Sequence, residues 1–309
     1  MKAMQIQQAD QGPVLRSAQI PQPTPGSFEI LIAVRATGVT PTELGWYPTT
    51  HKKSGEVRLN AVPGHEFSGI IAAIGKDVKA FAIGQEVYGM NDWFADGATA
   101  DFCLTIPSSV ARKPSTLTHE ESATLPIGAL TAWQGLFDHG KLLSDERVLV
   151  QGGSGAVGIF AVQLAHRHGA HVIATTSTPN VAFVKSLGAD EVIDYKNARF
   201  HDTVRDIDIV FDTVGGETRD LSWSVLKPNG RMITIAADGE NSSDPRIKNN
   251  YFIVEPNHVQ LLEVAKLIDA GLLKTFVNAT VPFDEAPLAY ARKVFSKRGY
   301  GKVVVTIAQ

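Results

Sequence analysis

The sequence predicts an α/β protein of two domains, a β-barrel-type domain joined to a doubly wound parallel sheet. Three observations carry that reading. Residues 148–158 read VLVQGGSGAVG, a buried-strand run that stops at a glycine cluster and passes at once into an apolar helix pattern. From about residue 123, strand and helix signals alternate, the pattern of a parallel sheet covered by helices. Before that point, short strand-like runs are punctuated by Pro and Gly, as expected of a compact β-domain. The 309 residues also exceed what one hydrophobic core usually sustains.

In the first part, strands are expected at 29–36, 69–74, 86–88 and 100–106, separated by Pro21, Pro23, Pro25, Gly26, Pro63 and Gly64. In the middle, strands are expected at 147–151, 171–175, 191–194, 208–212, 231–235 and 252–254. Val157, Phe160, Ala161, Leu164 and Ala165 form one stripe of an amphipathic helix, and Gly169 suits its C-terminal cap. A helix from Val181 ends near Gly188 in the same way. Towards the end, Leu261, Leu262, Ala265 and Ile268 share a face of a helix over 258–270. Asn257 is its expected N-cap, with Gln260 three residues on. A shorter helix is expected over 285–294, then Gly301-Lys302 leads into a strand at 303–307. That last strand is expected to rejoin the first domain. The expected division is therefore 1–123 with 274–309, around 124–273.

The glycine cluster carries the first chemistry. Gly153, Gly155 and Gly158 fit G-x-G-x-x-G, between strand and helix. Gly153 is expected to permit the tight turn, Gly155 to let backbone approach a pyrophosphate, and Gly158 to let the helix pack on the strand. With Ser154, Ala156 and Val157 they present N–H groups at a helix start, where the dipole also favours an anion. A glycine-rich turn that binds nothing is the alternative. An NAD site usually has an acid about 20 residues further on. Here the second strand ends Thr175-Thr176-Ser177, and no acid follows until Asp190. The Thr176 and Ser177 hydroxyls can donate to a 2′-phosphate, which an acid would repel, so NADPH is favoured over NADH. No Lys or Arg directly follows Ser177; Asn180 and Val181 stand there. Lys185 and Lys196 are either phosphate partners or solvated charges.

Composition excludes several classes. The net charge is −3 and no long basic run occurs, so nucleic acid is not an expected partner. No apolar segment reaches membrane-spanning length, and the N-terminal residues lack the apolar core of a signal peptide. A soluble, cytoplasmic protein is expected. Cys103 is the only cysteine, which excludes an intramolecular disulfide and a thiolate metal cluster. A small core residue is its expected role.

Several separate motifs, in order, give a resemblance over almost the whole chain. Pro63-Gly64-His65-Glu66-Phe67-Ser68-Gly69 is similar to P-G-H/D-E-x-x-G. Leu125-Pro126 with Leu130-Thr131-Ala132-Trp133 resembles L-P…L-T-A-W, and residues 152–158 resemble A/G-G-x-G-x-V-G. Leu187-Gly188-Ala189-Asp190, Val192-Ile193-Asp194-Tyr195, Asp212-Thr213-Val214-Gly215-Gly216 and Gly301-Lys302 match further family motifs. The chain thus resembles the medium-chain dehydrogenase/reductase superfamily, in its zinc-free, quinone-oxidoreductase-like branch. The resemblance implies a GroES-like β-domain, a Rossmann domain, an active site in the cleft and a homodimer. It implies hydride transfer from NADPH to a quinone, enone, enal or related small electrophile. By the same resemblance, Tyr195 and Ser177 contact the 2′-phosphate, though Tyr195 could simply close a strand. Val214 and Gly215 line the nicotinamide ribose, Phe252 and Ile253 the nicotinamide edge, and Thr131 lies near the phosphates or nicotinamide.

Zinc-dependent relatives hold a catalytic metal through a Cys, the His of G-H-E and a third residue. Here those positions are Thr40, His65 and the neighbourhood of Leu125-Pro126, with Glu66 beside the histidine. A tetrahedral site needs three protein ligands, so no zinc is expected and His65 is read as structural. Without a metal, an already electrophilic conjugated acceptor is the easier substrate. Two loop clusters, Trp46-Tyr47 and Met90-Asn91 with Trp93, suit a flat conjugated ligand; packing within the β-domain or at a subunit contact is the alternative. Tyr47 is the candidate proton donor and Asn91 a candidate carbonyl partner, with His51 and Asp92 as further candidates. A metal-free alcohol dehydrogenase or carbonyl reductase, and a non-catalytic NADPH-binding scaffold, remain competing readings.

Overall fold

The computed structural model describes residues 1–9, 12–240, 242–294 and 299–308. The chain forms two compact units. One comprises residues 1–127, 256–298 and 302–309, the other 128–255 with 299–301.

The first unit holds strands β1 (Lys2–Ala9), β2 (Gly12–Gln19), β3 (Ile30–Gly38), β4 (Glu66–Ile74), β5 (Glu86–Met90), β6 (Phe102–Thr105) and β7 (Val110–Arg112). Nine-residue β3 is the hub. It pairs antiparallel with both β4 and β6, because almost every one of its residues is buried and both edges need partners. β4 continues to β5 and β5 to β7, while β1 and β2 form a separate hairpin. Ile30, Ile32, Val34, Phe67, Ile71, Val87 and Val305 meet in the core, and Cys103 lies among them. Burial raises its thiol pKa to about 12, so it is no thiolate at neutral pH.

The second unit holds β8 (Arg147–Gln151), β9 (His171–Thr176), β10 (Glu191–Asp194), β11 (Ile207–Asp212) and β12 (Leu226–Thr234). They form a five-stranded parallel sheet in the order β10-β9-β8-β11-β12. The order reverses between β8 and β11, the doubly wound switch at which such sheets bind ligands. The helix Gly158–Arg167 buries Ile159 to Ala165 against the sheet, and Gly169 takes φ +90° just past its end. Gly188 does the same, at φ +107°, after the helix Val181–Ser186.

The chain then returns to the first unit through β13 (Val277–Pro282) and β14 (Lys302–Thr306). β14 pairs antiparallel with β3 and parallel with β13, so the discontinuity expected from the sequence is present. Three expectations need correction. The return begins at Pro256 rather than at 274. The helix His258–Asp269, capped by Asn257 on the Gln260 N–H, belongs to the β-domain unit. Its partners explain why: buried Tyr88 donates to the Leu261 carbonyl at 2.5 Å, His258 Nδ1 meets the Val110 carbonyl at 2.6 Å, and Asp269 accepts from Ser115 and Thr116. Second, residues 252–254 form no strand; only Tyr251 bridges to Thr234, and Phe252 turns its ring onto His139 instead. Third, the last helix is short, Ala286–Tyr290 after a 3-10 turn, with Pro287 in its first turn.

Candidate functional site

In the second unit, the glycine turn has the shape its spacing suggests, with the roles redistributed. Gly152, not Gly153, takes the left-handed conformation, at φ +83°. Gly153 is required for closeness: a Cβ there would meet Ala174 at 3.0 Å and Val184 at 3.2 Å. A Cβ on Gly158 would run into the Gly152 carbonyl. At Gly155 a Cβ would touch only the Gly152 carbonyl oxygen, at 3.3 Å, so its outer face is open. Among the described residues, the Ala156 and Val157 N–H groups have no protein partner. An exposed glycine, free N–H groups and a helix start together fit the pyrophosphate of a dinucleotide.

The hydroxyls at the end of β9 form one connected group. Ser154 Oγ accepts from Thr176 Oγ1 at 2.8 Å and from Asn180 Nδ2 at 3.2 Å. Asn180 Nδ2 also reaches Ser177 Oγ at 3.3 Å. Ser154 and Ser177 thus accept from within the protein and keep their own protons to donate outward. Thr176 is a supporting residue rather than a contact: it is 1 % exposed and its hydroxyl serves Ser154. Asn180 joins this group without a sequence signal, because an amide where a cation is expected reads as an absence. Tyr195, just past β10, is 54 % exposed, and the Lys196 ammonium lies 5.3 Å from its ring centroid. Lys185 instead turns to the Asp190 carbonyl.

The segment 212–216 packs on the glycine turn. Thr213 Oγ1 donates to the Gln151 carbonyl at 2.7 Å, and exposed Val214 reaches over Gly152. Buried Asp212 accepts from the Val214 and Gly215 N–H groups, both at 3.0 Å. Val214, Gly215 and the turn therefore form one surface. Of the two proposed nicotinamide-edge residues, Ile253 is half-buried, while Phe252 is buried against His139 at 4.3 Å between ring centroids. Thr131 sits 3 % exposed within the helix Pro126–Trp133, which leaves it little surface for a ligand.

In the first unit, the two aromatic clusters behave differently. Trp46 and Trp93 meet edge-on at 4.9 Å, and Trp93 packs on His65 at the same distance. Tyr47 is 50 % exposed and stacks on His51 at 4.3 Å. Met90 and Asn91 are corrections. Met90 is fully buried at the end of β5, and Asn91 is 2 % exposed. The Asn91 amide donates to the Asp96 carbonyl, so both residues are packed within the β-domain rather than displayed on its surface. Trp93 is largely internal too, which leaves Trp46 and Tyr47 as the accessible pair. Asp92 caps its own turn and faces Lys53.

The zinc-ligand positions do not fit a zinc ion. His65 Nδ1 meets Glu43 Oε2 at 2.5 Å, and its Nε2 lies 3.2 Å from the Ala95 carbonyl, so both ring nitrogens are engaged. Glu43 also accepts from the Gly64 N–H at 3.0 Å and from Tyr290 Oη at 2.9 Å. Glu66 forms a buried ion pair with Lys302 and accepts from the Ile127 N–H at 3.0 Å. Burial pushes the Glu66 carboxyl up; Lys302 pulls it back. Thr40 offers only a hydroxyl. Among the described residues, no group of three or more His, Cys, Asp or Glu side chains could hold a metal ion. Neither Glu43–Tyr290 nor Glu66–Lys302 has a local sequence signal, since the partners stand more than two hundred residues apart.

Similarity to known proteins places the chain in a family. Residues 26–131 match the family described as alcohol dehydrogenase GroES-like domain, and residues 187–305 that described as zinc-binding dehydrogenase. The chain is 32 % identical to the "Probable zinc-binding oxidoreductase, mitochondrial" of Arthroderma benhamiae, over 95 % of this chain and 92 % of that protein. It is 31 % identical to the "Quinone-oxidoreductase QR1, chloroplastic" of Triphysaria versicolor, over 94 % of this chain and 93 % of that protein. The structure of the quinone oxidoreductase from Coxiella burnetii superposes with a TM-score of 0.87 at 26 % identity, covering 100 % of this chain and 99 % of that one. A GroES-like β-domain, a Rossmann-type sheet and these relatives make the chain a nicotinamide-dependent oxidoreductase of the medium-chain dehydrogenase/reductase superfamily.

Proposed function

We propose that the protein is a zinc-independent, NADPH-dependent reductase of quinones or α,β-unsaturated carbonyls. The observation that carries the reading is the open Gly155 beside outward-donating Ser154 and Ser177, with no acid at the end of β9. NADPH, when bound, supplies hydride from its nicotinamide C4. The turn's N–H groups would hold the pyrophosphate, and Ser154, Ser177 and Tyr195 would hold the 2′-phosphate. Val214 and Gly215 would orient the nicotinamide half, so that proximity would supply much of the rate. Tyr47, exposed and stacked on His51, is the proposed proton donor to the product oxyanion. The relatives that act on quinones favour the same substrate class. The engaged His65 and Glu66 side chains, which leave no ligand triad, support zinc independence. A soluble homodimer completes the proposal.

NADPH oxidation in the presence of a quinone, an enone or a simple ketone tests the reaction. Turnover of the quinone or the enone supports it; turnover of the ketone alone identifies a carbonyl reductase, and binding without turnover identifies a scaffold. The cofactor assignment has its own test. Tyr195→Phe weakens NADPH binding by roughly tenfold, the loss of one hydrogen bond to a charged group, and leaves NADH binding little changed. Equal loss of both cofactors in a fluorescence titration would mean that Tyr195 only packs.

A further inference from the structure

We propose that Asp238, together with Arg219, is a positioning residue for the nicotinamide end of the cofactor. This inference rests on the NADPH reading above. Beyond the Thr213 hydroxyl on the Gln151 carbonyl, the segment 213–216 has little means of holding its own shape. Gly215 and Gly216 both take positive φ, +80° and +54°, and neither has a side chain to anchor it. Two carboxylates define the segment instead. Asp212 fixes its start from within the sheet, through the Val214 and Gly215 N–H groups. Asp238 fixes its end from the 3-10 turn Ala237–Gly239, which follows β12.

Asp238 does so with both oxygens. Oδ2 accepts from the Gly216 N–H at 3.0 Å, and Oδ1 accepts from Arg219 Nη1 at 2.9 Å. Arg219 is 5 % exposed, so its guanidinium needs that partner; Asp220 lies further off, at 3.4 Å. The fit is close. A Cβ on Gly215 would lie 2.5 Å from Asp238 Oδ1 and 2.7 Å from the Ala236 Cβ. Asp238 is thus the outer wall against which the segment is pressed, with the glycine turn on its other side, where Val214 covers Gly152. Freed from Asp238, Gly216 and Gly215 relax and Val214 leaves its place over the turn. The cluster of the Ser154 and Ser177 hydroxyls with the Asn180 amide has no bond to Asp238 among the described residues and keeps its geometry.

The experiment follows from that division of the cofactor. Full-length wild type, Asp238→Ala and Asp238→Asn are titrated with NADPH and with 2′,5′-ADP, which carries the adenosine half alone. Asp238→Ala is expected to weaken NADPH by about tenfold while 2′,5′-ADP binds as to wild type, which also reports that the variant is folded. Asp238→Asn retains an acceptor for the Gly216 N–H and is expected to lie between the two, and it serves as the test should the alanine variant not fold. Unchanged NADPH affinity, or equal loss of both ligands, overturns the positioning role while leaving the cofactor reading in place. Failure of wild type to bind either ligand overturns both.

Discussion

Gly155→Asp is expected to remove NADPH binding while leaving the fold intact. The two halves of that expectation have separate causes. Space is available, since a Cβ at this position meets only the Gly152 carbonyl oxygen, at 3.3 Å. Charge is what the position cannot accept. A carboxylate placed about 4 Å from a pyrophosphate charge costs about 4 kcal/mol at an effective dielectric constant of about 20. Gly155 is exposed, so solvent screens part of this, and a loss of about a hundredfold in affinity is the expected floor. Gly155→Ala should retain most of the binding. Gly158→Ala should instead fail to fold, because its Cβ would occupy the Gly152 carbonyl. A Gly155→Asp protein that binds NADPH like wild type, by fluorescence titration, would refute the phosphate site.

Lys302→Met has the largest expected effect on stability. Glu66 is fully buried, and its ionised form is supported by Lys302 and the Ile127 N–H. Removing the cation leaves a buried carboxylate uncompensated, which costs about 3–5 kcal/mol. The pH dependence has a definite sign. Burial already raises the folded-state pKa of Glu66, with Lys302 as the chief opposing influence. Without Lys302 the raised pKa rises further, so the folded state holds its proton where the unfolded chain has released it. Stability of the variant is then greatest below the unfolded carboxyl value and is lost as the pH climbs through the folded one. Denaturant melts should show a larger deficit relative to wild type at pH 7 than at pH 5. A deficit independent of pH would assign the loss to packing of the lysine stem. Adding Glu66→Gln to Lys302→Met should recover part of the stability at pH 7, since neither position of the former pair then carries a buried charge.

The Rossmann unit was largely legible because its signals are local. Residues 147–151 and 191–194 coincide with β8 and β10, since parallel-sheet strands are continuous apolar runs ended by Gly, Asp or Asn. Asn257 capping Gln260 is legible in four consecutive letters. Which unit its helix joins was not legible: that depends on Tyr88 and Val110, far back in the chain. The phantom strand at 252–254 had the right composition, but its ring partner His139 lies over a hundred residues earlier. The β1–β2 hairpin has no strong sequence signal, because its alternating Gln residues weaken the apolar pattern. The site divides in the same way. Glycine spacing marks backbone that must be bare, so the phosphate turn could be found. Asp238, Asn180 and Glu43 act through partners that only folding brings near.

The central claim is that this fold passes reducing equivalents from NADPH to a conjugated acceptor with no metal at the site. Steady-state NADPH oxidation with a quinone, by enzyme dialysed against excess chelator, tests it most directly. The rate should be the same before and after dialysis, with no gain on adding zinc. Activity that disappears with the chelator and returns with stoichiometric zinc would contradict it.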